Sequence, residues 1–129
     1  MLLIAVAAHA EVRVIDGDSL QQGATVYRLN GIDAPERGQM CGSWACGQAA
    51  TRALDRMVTG ANVSCTAHGQ DGYGRVIATC YANGRDLSAA MIEAGMAWAF
   101  VSYSTAYAAD ELVAREKAKG VFSGENAPP

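Results

Sequence analysis

Val14-Ile15-Asp16-Gly17-Asp18-Ser19-Leu20 and Tyr27-Arg28-Leu29-Asn30-Gly31-Ile32-Asp33-Ala34-Pro35-Glu36 decide how this chain is read. Glu11 to Ile15 alternates with a period near two, the mark of a half-buried strand, and Asp16-Gly17-Asp18 then breaks it as a turn. Ser19 to Gln22 and Thr25 to Leu29 read as two further strands joined through Gly23. Pro35 restricts Ala34 to an extended conformation, so Ile32 to Glu36 closes this sheet segment. Charge stands in both stretches where a strand least accommodates it. Arg28 lies between Tyr27 and Leu29, and two carboxylates, Asp33 and Glu36, end the segment.

Beyond these stretches, Arg37 to Cys46 reads as a loop. Ala49, Ala53, Leu54, Met57 and Val58 follow helical spacing within Gln48 to Val58, and Gly60 stops that helix. Ala61 to Ala67 and Arg75 to Ala82 form an expected antiparallel pair across a glycine-rich turn, Gly69 to Gly74. Asn83-Gly84 is a second turn. A second helix is marked by Leu87, Met91, Ile92 and Gly95, with Asp86 near its start, and a third spans Ala106 to Lys119 before Gly120. Gly124 to Pro129 reads as a loose tail. Three strands, a helix, two strands and two helices make an α+β chain, and the expected architecture is a five-stranded antiparallel OB-fold-like β-barrel carrying about three α-helices. That fold hosts many functions and decides none.

The 129 residues suffice for one domain, expected over residues 11–123. Half the residues are hydrophobic and only 18% are charged, which excludes a disordered chain. The formal charge of −3 argues against gripping nucleic acid by bulk electrostatics. It leaves open an enzyme that holds a phosphate at a metal, because a bound cation adds positive charge that a residue count misses. Residues 1–10, an apolar run followed by Ala8-His9-Ala10, read as a signal peptide remnant cleaved after Ala10, although no Lys or Arg precedes the run, and an extension of the first strand is the competing reading. The run is too short to span a bilayer, and no membrane role is expected. Cys65 and Cys80 fall on neighbouring strands about equidistant from their turn, within disulfide reach. Cys41 and Cys46 fit no common zinc spacing. Cys65–Cys80 and Cys41–Cys46 disulfides are therefore expected, with a secreted or periplasmic location. Four cysteines allow three pairings, and a structural zinc domain is the competing reading.

The charged residues suggest one chemistry. Calcium takes carboxylate, carbonyl and water oxygens, and Asp18, Asp33 and the Ala34 carbonyl are candidate ligands. Glu36, three residues beyond Asp33, is placed to act as a base on water. Arg28 and Arg75 are candidates to clamp the charge that develops on a phosphodiester under attack. Asp16 reads as a residue that orients ligands or water, and Asp71 as a turn former. His9, His68 and Ser19 have no partner suited to catalysis, and Trp44, Trp98 and Phe122 read as packing.

The two opening stretches, together with Asp71-Gly72-Tyr73-Gly74-Arg75, closely resemble the signature segments of the staphylococcal nuclease family. Cys46-Gly47-Gln48-Ala49-Ala50, Gly84-Arg85-Asp86-Leu87 and Gly95-Met96-Ala97-Trp98-Ala99 extend the resemblance over about Val12 to Phe122. It implies calcium-dependent cleavage of DNA and RNA, with attack at phosphorus, expulsion of the 5′ oxygen and 3′-phosphate products. By position it implies Asp18, Asp33 and the Ala34 carbonyl as calcium ligands and Arg28, Glu36 and Arg75 as the catalytic trio. It also implies Tyr73 and Tyr103 as residues against the bound nucleotide. The chain departs from the family at Ala34, where the type enzyme has Thr, at Gly72, where a lysine is expected, and in a shorter, cysteine-bearing loop after Glu36. The expected partners are DNA and RNA, preferably single-stranded and without strong sequence specificity, and the expected state is a monomer. A non-catalytic OB-fold module binding nucleic acid or protein is the alternative. The 7% aromatic content and the absence of net basic charge count against it, as does the complete set of site residues.

Overall fold

A glycine corner joins the first two described strands: β1 (Val12–Asp16) turns back through Gly17 and Asp18 into β2 (Ser19–Gln22), with Asp16 opposite Ser19. The computed structural model describes residues 11–102 and 104–129. The leader expected at residues 1–10 and the nucleotide contact expected at Tyr103 lie outside the described residues. β3 (Thr25–Leu29) returns antiparallel to β2 and sets Ser19 opposite Arg28. The alternation buries Leu20 and Leu29. β4 (Ile32–Asp33) then leaves this sheet to pair with β8 (Trp98–Ala99), with Asp33 opposite Trp98.

Helix α1 (Cys46–Val58) buries Ala50, Ala53, Leu54 and Val58 along one face. It begins two residues before the expected Gln48 because the preceding loop winds it earlier. The Cys46 N–H donates to the Trp44 carbonyl and the Gly47 N–H to the Gln39 carbonyl. β5 (Val63–Gln70) and β6 (Val76–Ala82) pair antiparallel with Cys65 opposite Cys80. β5 runs past the expected end at Ala67, since a bulge between Ala67 and Gly69 absorbs one residue and lets pairing resume. The turn is thereby confined to Asp71–Arg75, where the Asp71 N–H donates to the Arg75 carbonyl at 3.0 Å. β7 (Arg85–Asp86) pairs with β6 and leads into α2 (Leu87–Glu93), and α3 (Ala108–Lys117) follows β8.

The main sheet has the order β1-β2-β3-β6-β5, with β7 on β6. This is the strand order of an OB-fold, with two corrections to the expectation. β3 and β6 run parallel, with Tyr27 opposite Val76 and Arg28 opposite Ile77. Among the described residues the ladder from β5 back to β1 is not closed, so the sheet is open rather than a closed barrel. Hairpin cues report only antiparallel neighbours. A parallel pair needs a crossover, here the chain through β4, α1 and β5. The parallel pair also brings the start of β6, and Arg75 with it, beside Arg28.

Both expected cysteine pairs are joined, Cys41 to Cys46 across the loop and Cys65 to Cys80 across β5 and β6. With all four sulfurs paired, none is free to hold zinc. The far side of the molecule is tied by one carboxylate. Asp86 Oδ1 accepts from the Ser88 and Ala89 N–H groups as the cap of α2, and Asp86 Oδ2 accepts from the Tyr107 hydroxyl at 2.7 Å. Burial and the Asp86 carboxylate push the Tyr107 phenol well above its ordinary range. The Tyr107 ring lies against Gly31, whose positive φ of 73° and lack of Cβ permit the contact. Asp86→Ala removes a cap and orphans a buried hydroxyl together. It is expected to cost about 2–3 kcal/mol in denaturant unfolding, against about 1 kcal/mol for Tyr107→Phe. Equal costs for the two variants would contradict the double role of Asp86.

Candidate active site

Gly17 positions the first carboxylate. A Cβ there would stand 2.8 Å from the Cβ atoms of both Ala34 and Ala50, so only glycine lets the Asp16–Asp18 corner press between α1 and the segment after β4. Asp18 is thereby held against Ala34, whose N–H donates to Asp18 Oδ2 at 2.9 Å. The Asp18 carbonyl accepts from the Leu29 N–H at 2.8 Å. Arg28 reaches over from β3. Its Nη2 lies 3.4 Å from Asp18 Oδ2 and 3.8 Å from Asp33 Oδ1, and Nη1 donates to the Leu29 carbonyl at 2.9 Å. Asp16 stands behind this group, with Oδ1 accepting from the Asp18 N–H at 3.2 Å and the Ser19 hydroxyl at 2.6 Å. Ser19 is thus buried and used as a prop.

The electrostatics follow from burial. Asp18 is only 8% exposed. Burial pushes its carboxyl up to about 7, with Arg28 pulling it down and the Asp16 charge adding to the rise. Burial also raises Asp33, against Arg28, and the Glu36 and Asp16 charges raise it further. For Asp16 burial acts upward too, but the hydrogen bonds from Asp18 and Ser19 outweigh it and hold the carboxyl below its usual range. One guanidinium therefore faces several carboxylates and does not neutralise them.

This donor set consists of hard oxygens and suits a cation of the calcium class rather than zinc, which favours nitrogen and sulfur. Among the described residues no group of three or more His, Cys, Asp or Glu side chains stands in metal-holding geometry. A cation between Asp18 and Asp33 would complete its shell from a backbone carbonyl, with Ala34 the candidate, and from water or phosphate oxygens.

Glu36 is exposed at the end of this segment. Its N–H donates to Gln39 Oε1 at 3.0 Å, and its carbonyl accepts from the Gln39 N–H at 2.8 Å. Gly47 of α1 passes so close that any Cβ would collide with the Glu36 carbonyl oxygen. Arg75 is fixed from the other side. Its backbone N–H donates to Asp71 Oδ1 at 2.9 Å and its Nε to Asp71 Oδ2 at 2.6 Å, while the Tyr73 N–H also donates to Oδ1. Asp71 thus forms the turn, as expected, and holds a catalytic candidate as well. Burial works to raise the Asp71 carboxyl, but the N–H donors and the Arg75 charge bring it below its usual range. The Arg75 guanidinium sits 5.7 Å from the centre of the Tyr73 ring, which is 87% exposed.

Arg28, Arg75, Tyr73, Ile32, Ile77 and Phe100 line one cavity of about 240 Å³. Arg28 thereby belongs both to the carboxylate group and to this cavity, whose lining does not include Asp18, Asp33 or Glu36. Phe100, Ile77 and Gln39 were outside the sequence reading. Nothing in the local pattern marks a loop glutamine or an aromatic after a short strand as part of a site.

A carboxyl raised by folding stabilises while protonated. That contribution is complete below its ordinary value of 3.8 and is lost as pH rises through about 7. Asp18→Asn keeps an acceptor for the Ala34 N–H without the charge. In chelator it is expected to melt roughly 5 °C or more above the parent at about pH 8, with the gap closing toward pH 4. Thermal melts across that range check this, and a gap independent of pH would contradict it.

Residues 26–123 match the family model described as staphylococcal nuclease homologue. An uncharacterized endonuclease of Escherichia coli is 34% identical over 125 residues, covering 92% of this chain and 78% of its own. Micrococcal nuclease of Shigella flexneri is 32% identical over 149 residues, covering 98% of this chain and 83% of its own. An uncharacterized endonuclease of Haemophilus influenzae is 32% identical over 122 residues, covering 89% and 66%. The family model spans Arg28, Asp33, the Glu36 loop and the Asp71–Arg75 turn, with Asp16 and Asp18 lying just ahead of it, and the chain belongs to the staphylococcal nuclease family.

Proposed function

We propose that this protein is a calcium-dependent nuclease that hydrolyses DNA and RNA phosphodiesters to 3′-phosphate ends. The observation that carries the reading is the position of Arg28, which faces Asp18 and Asp33 and lines the same cavity as Arg75. Family membership and relatives named as nucleases support it.

Asp18, Asp33 and the Ala34 carbonyl would hold the calcium ion, which when bound supplies positive charge to a phosphate oxygen and lowers the cost of deprotonating nearby water. Glu36 takes the proton of a water attacking phosphorus. As the bond from water to phosphorus forms and the bond from phosphorus to the 5′ oxygen breaks, negative charge grows on the other phosphate oxygens. Arg28 and Arg75 present planar guanidinium forks to that charge, and neither loses its proton. The departing 5′ oxygen leaves with a proton from solvent, and the phosphate stays on the 3′ side. Asp16 keeps Asp18 oriented, and Asp71 keeps Arg75 aimed while Tyr73 offers an exposed ring to a nucleoside.

Single strands without sequence preference suit an exposed aromatic beside two guanidiniums, and the chain's net charge of −3 gives it no broad basic surface for duplexes. The two disulfides favour a secreted or periplasmic protein. No helix among the described residues is long and apolar enough to cross a membrane.

The test is digestion of single-stranded DNA and of RNA with calcium and then with a chelator. Cleavage is expected with calcium and none with chelator. Glu36→Gln is expected to lower kcat roughly 10²–10⁴-fold with unchanged thermal unfolding. Undiminished cleavage by that variant would remove Glu36 from its role, and calcium-independent cleavage would overturn the metal assignment.

A further inference from the structure

Beside Glu36 lies a second groove, of about 420 Å³, between the loop after β4 and helix α1, lined by Arg37, Gln39, Gln48, Thr51 and Arg52. Two arginines, two glutamines and a threonine line it beside Gly38 and Ala45, with no carboxylate among them. Arg28, Arg75, Arg85 and Arg115 are ion-paired, whereas among the described residues Arg37 and Arg52, like Arg13 and Arg56, have no carboxylate in ion-pair range, and Arg37 and Arg52 are the two that face this groove, both exposed. In a chain of net charge −3, two uncommitted guanidiniums facing one groove form a local concentration of positive charge. Arg37 also lines an adjoining hollow together with Arg13 and Asp16, so the groove borders the Asp16 edge of the site.

The groove is built on a fixed wall. Gln39 accepts from the Glu36 N–H, donates to the Ala127 carbonyl at 3.3 Å and, through its own carbonyl, accepts from the Gly47 N–H at 3.1 Å. The Cys41–Cys46 disulfide closes the same loop. The close approach of Gly47 to the Glu36 carbonyl locks loop and helix together. Arg52 rises from α1, one turn beyond Gln48, and Arg37 directly follows Glu36 in the chain. The groove thus borders the backbone of Glu36, through Arg37 and Gln39.

We propose that this groove is a phosphate subsite for the substrate strand, with Arg37 and Arg52 each taking a backbone phosphate beyond the bond being cut. The inference rests on the nuclease reading above and extends it to the path of the strand. An acidic protein partner would meet the same charge, but Arg37 directly follows Glu36 and shares a hollow with Asp16, and this nearness to the site favours the strand.

The test is fluorescence anisotropy with a labelled thymidine oligonucleotide in chelator over a salt series, using the full chain. The variants are Arg37→Ala/Arg52→Ala and, as a control, Arg56→Ala, an exposed α1 arginine outside the groove. The double variant is expected to weaken binding about 10-fold and to reduce the slope of log K against log salt by about 1.4, two phosphates' worth for a single strand. Arg56→Ala is expected to change binding by no more than about twofold. With calcium, the double variant is expected to raise KM for the oligonucleotide while leaving kcat on a dinucleotide unchanged. An unchanged Kd and slope, or an equal loss in Arg56→Ala, would overturn the subsite. Parent protein that cleaves while the double variant matches it sinks the groove alone, whereas parent protein that neither binds nor cleaves sinks the nuclease reading with it.

Discussion

The guanidinium of Arg28 within reach of both Asp18 and Asp33 is the contact on which the rest of the site depends. Burial alone would drive both carboxylates toward the protonated form. Arg28 offsets part of that cost and leaves a residue of negative charge. The fold supplies the geometry through backbone constraints. Gly17 lets the first corner sit against Ala34 and Ala50, and the Ala34 N–H bonds Asp18. The antiparallel β2–β3 ladder places Arg28 across from Ser19.

The parallel pairing of β3 and β6 turns a carboxylate cluster into a site with two guanidiniums. It sets Arg28 beside Ile77, and the Asp71 turn at the head of β6 delivers Arg75 to the same cavity. Each charged group is then held by another: Asp16 props Asp18, Asp71 grips Arg75, and Gln39 brackets the backbone of Glu36. Such supports fix side chains that would otherwise lose entropy on meeting a substrate.

Much of this was legible in the residues because the cues are local. Asp16-Gly17-Asp18, Asn83-Gly84 and the helix-spaced apolar residues of α1 mark their own elements, and Asp86 marks the start of α2. Arg28 stood out because a charge inside a strand is rare. What was not legible is non-local or chemically ordinary. The parallel β3–β6 pair joins strands separated by a helix and another strand, and the open sheet edge depends on the whole chain. The bulge that carries β5 to Gln70 overrides a turn cue at Gly69. Gln39 and Phe100 matter through where the fold puts them, and neither residue type advertises it. The disulfides fall between these cases, since Cys65 and Cys80 could be read from strand register while Cys41 and Cys46 rested on spacing.

On the proposed function, Asp18 and Asp33 would hold calcium, and Arg28, which now lies within reach of both, would serve a phosphate once the ion is bound. A crystal structure of the protein with calcium and a nucleotide bearing a terminal phosphate tests this directly. Calcium coordinated by Asp18 and Asp33, with the guanidiniums of Arg28 and Arg75 on phosphate oxygens, is the expected result. Calcium bound elsewhere, with Arg28 still bridging the two carboxylates and the phosphate outside the cavity, would contradict it.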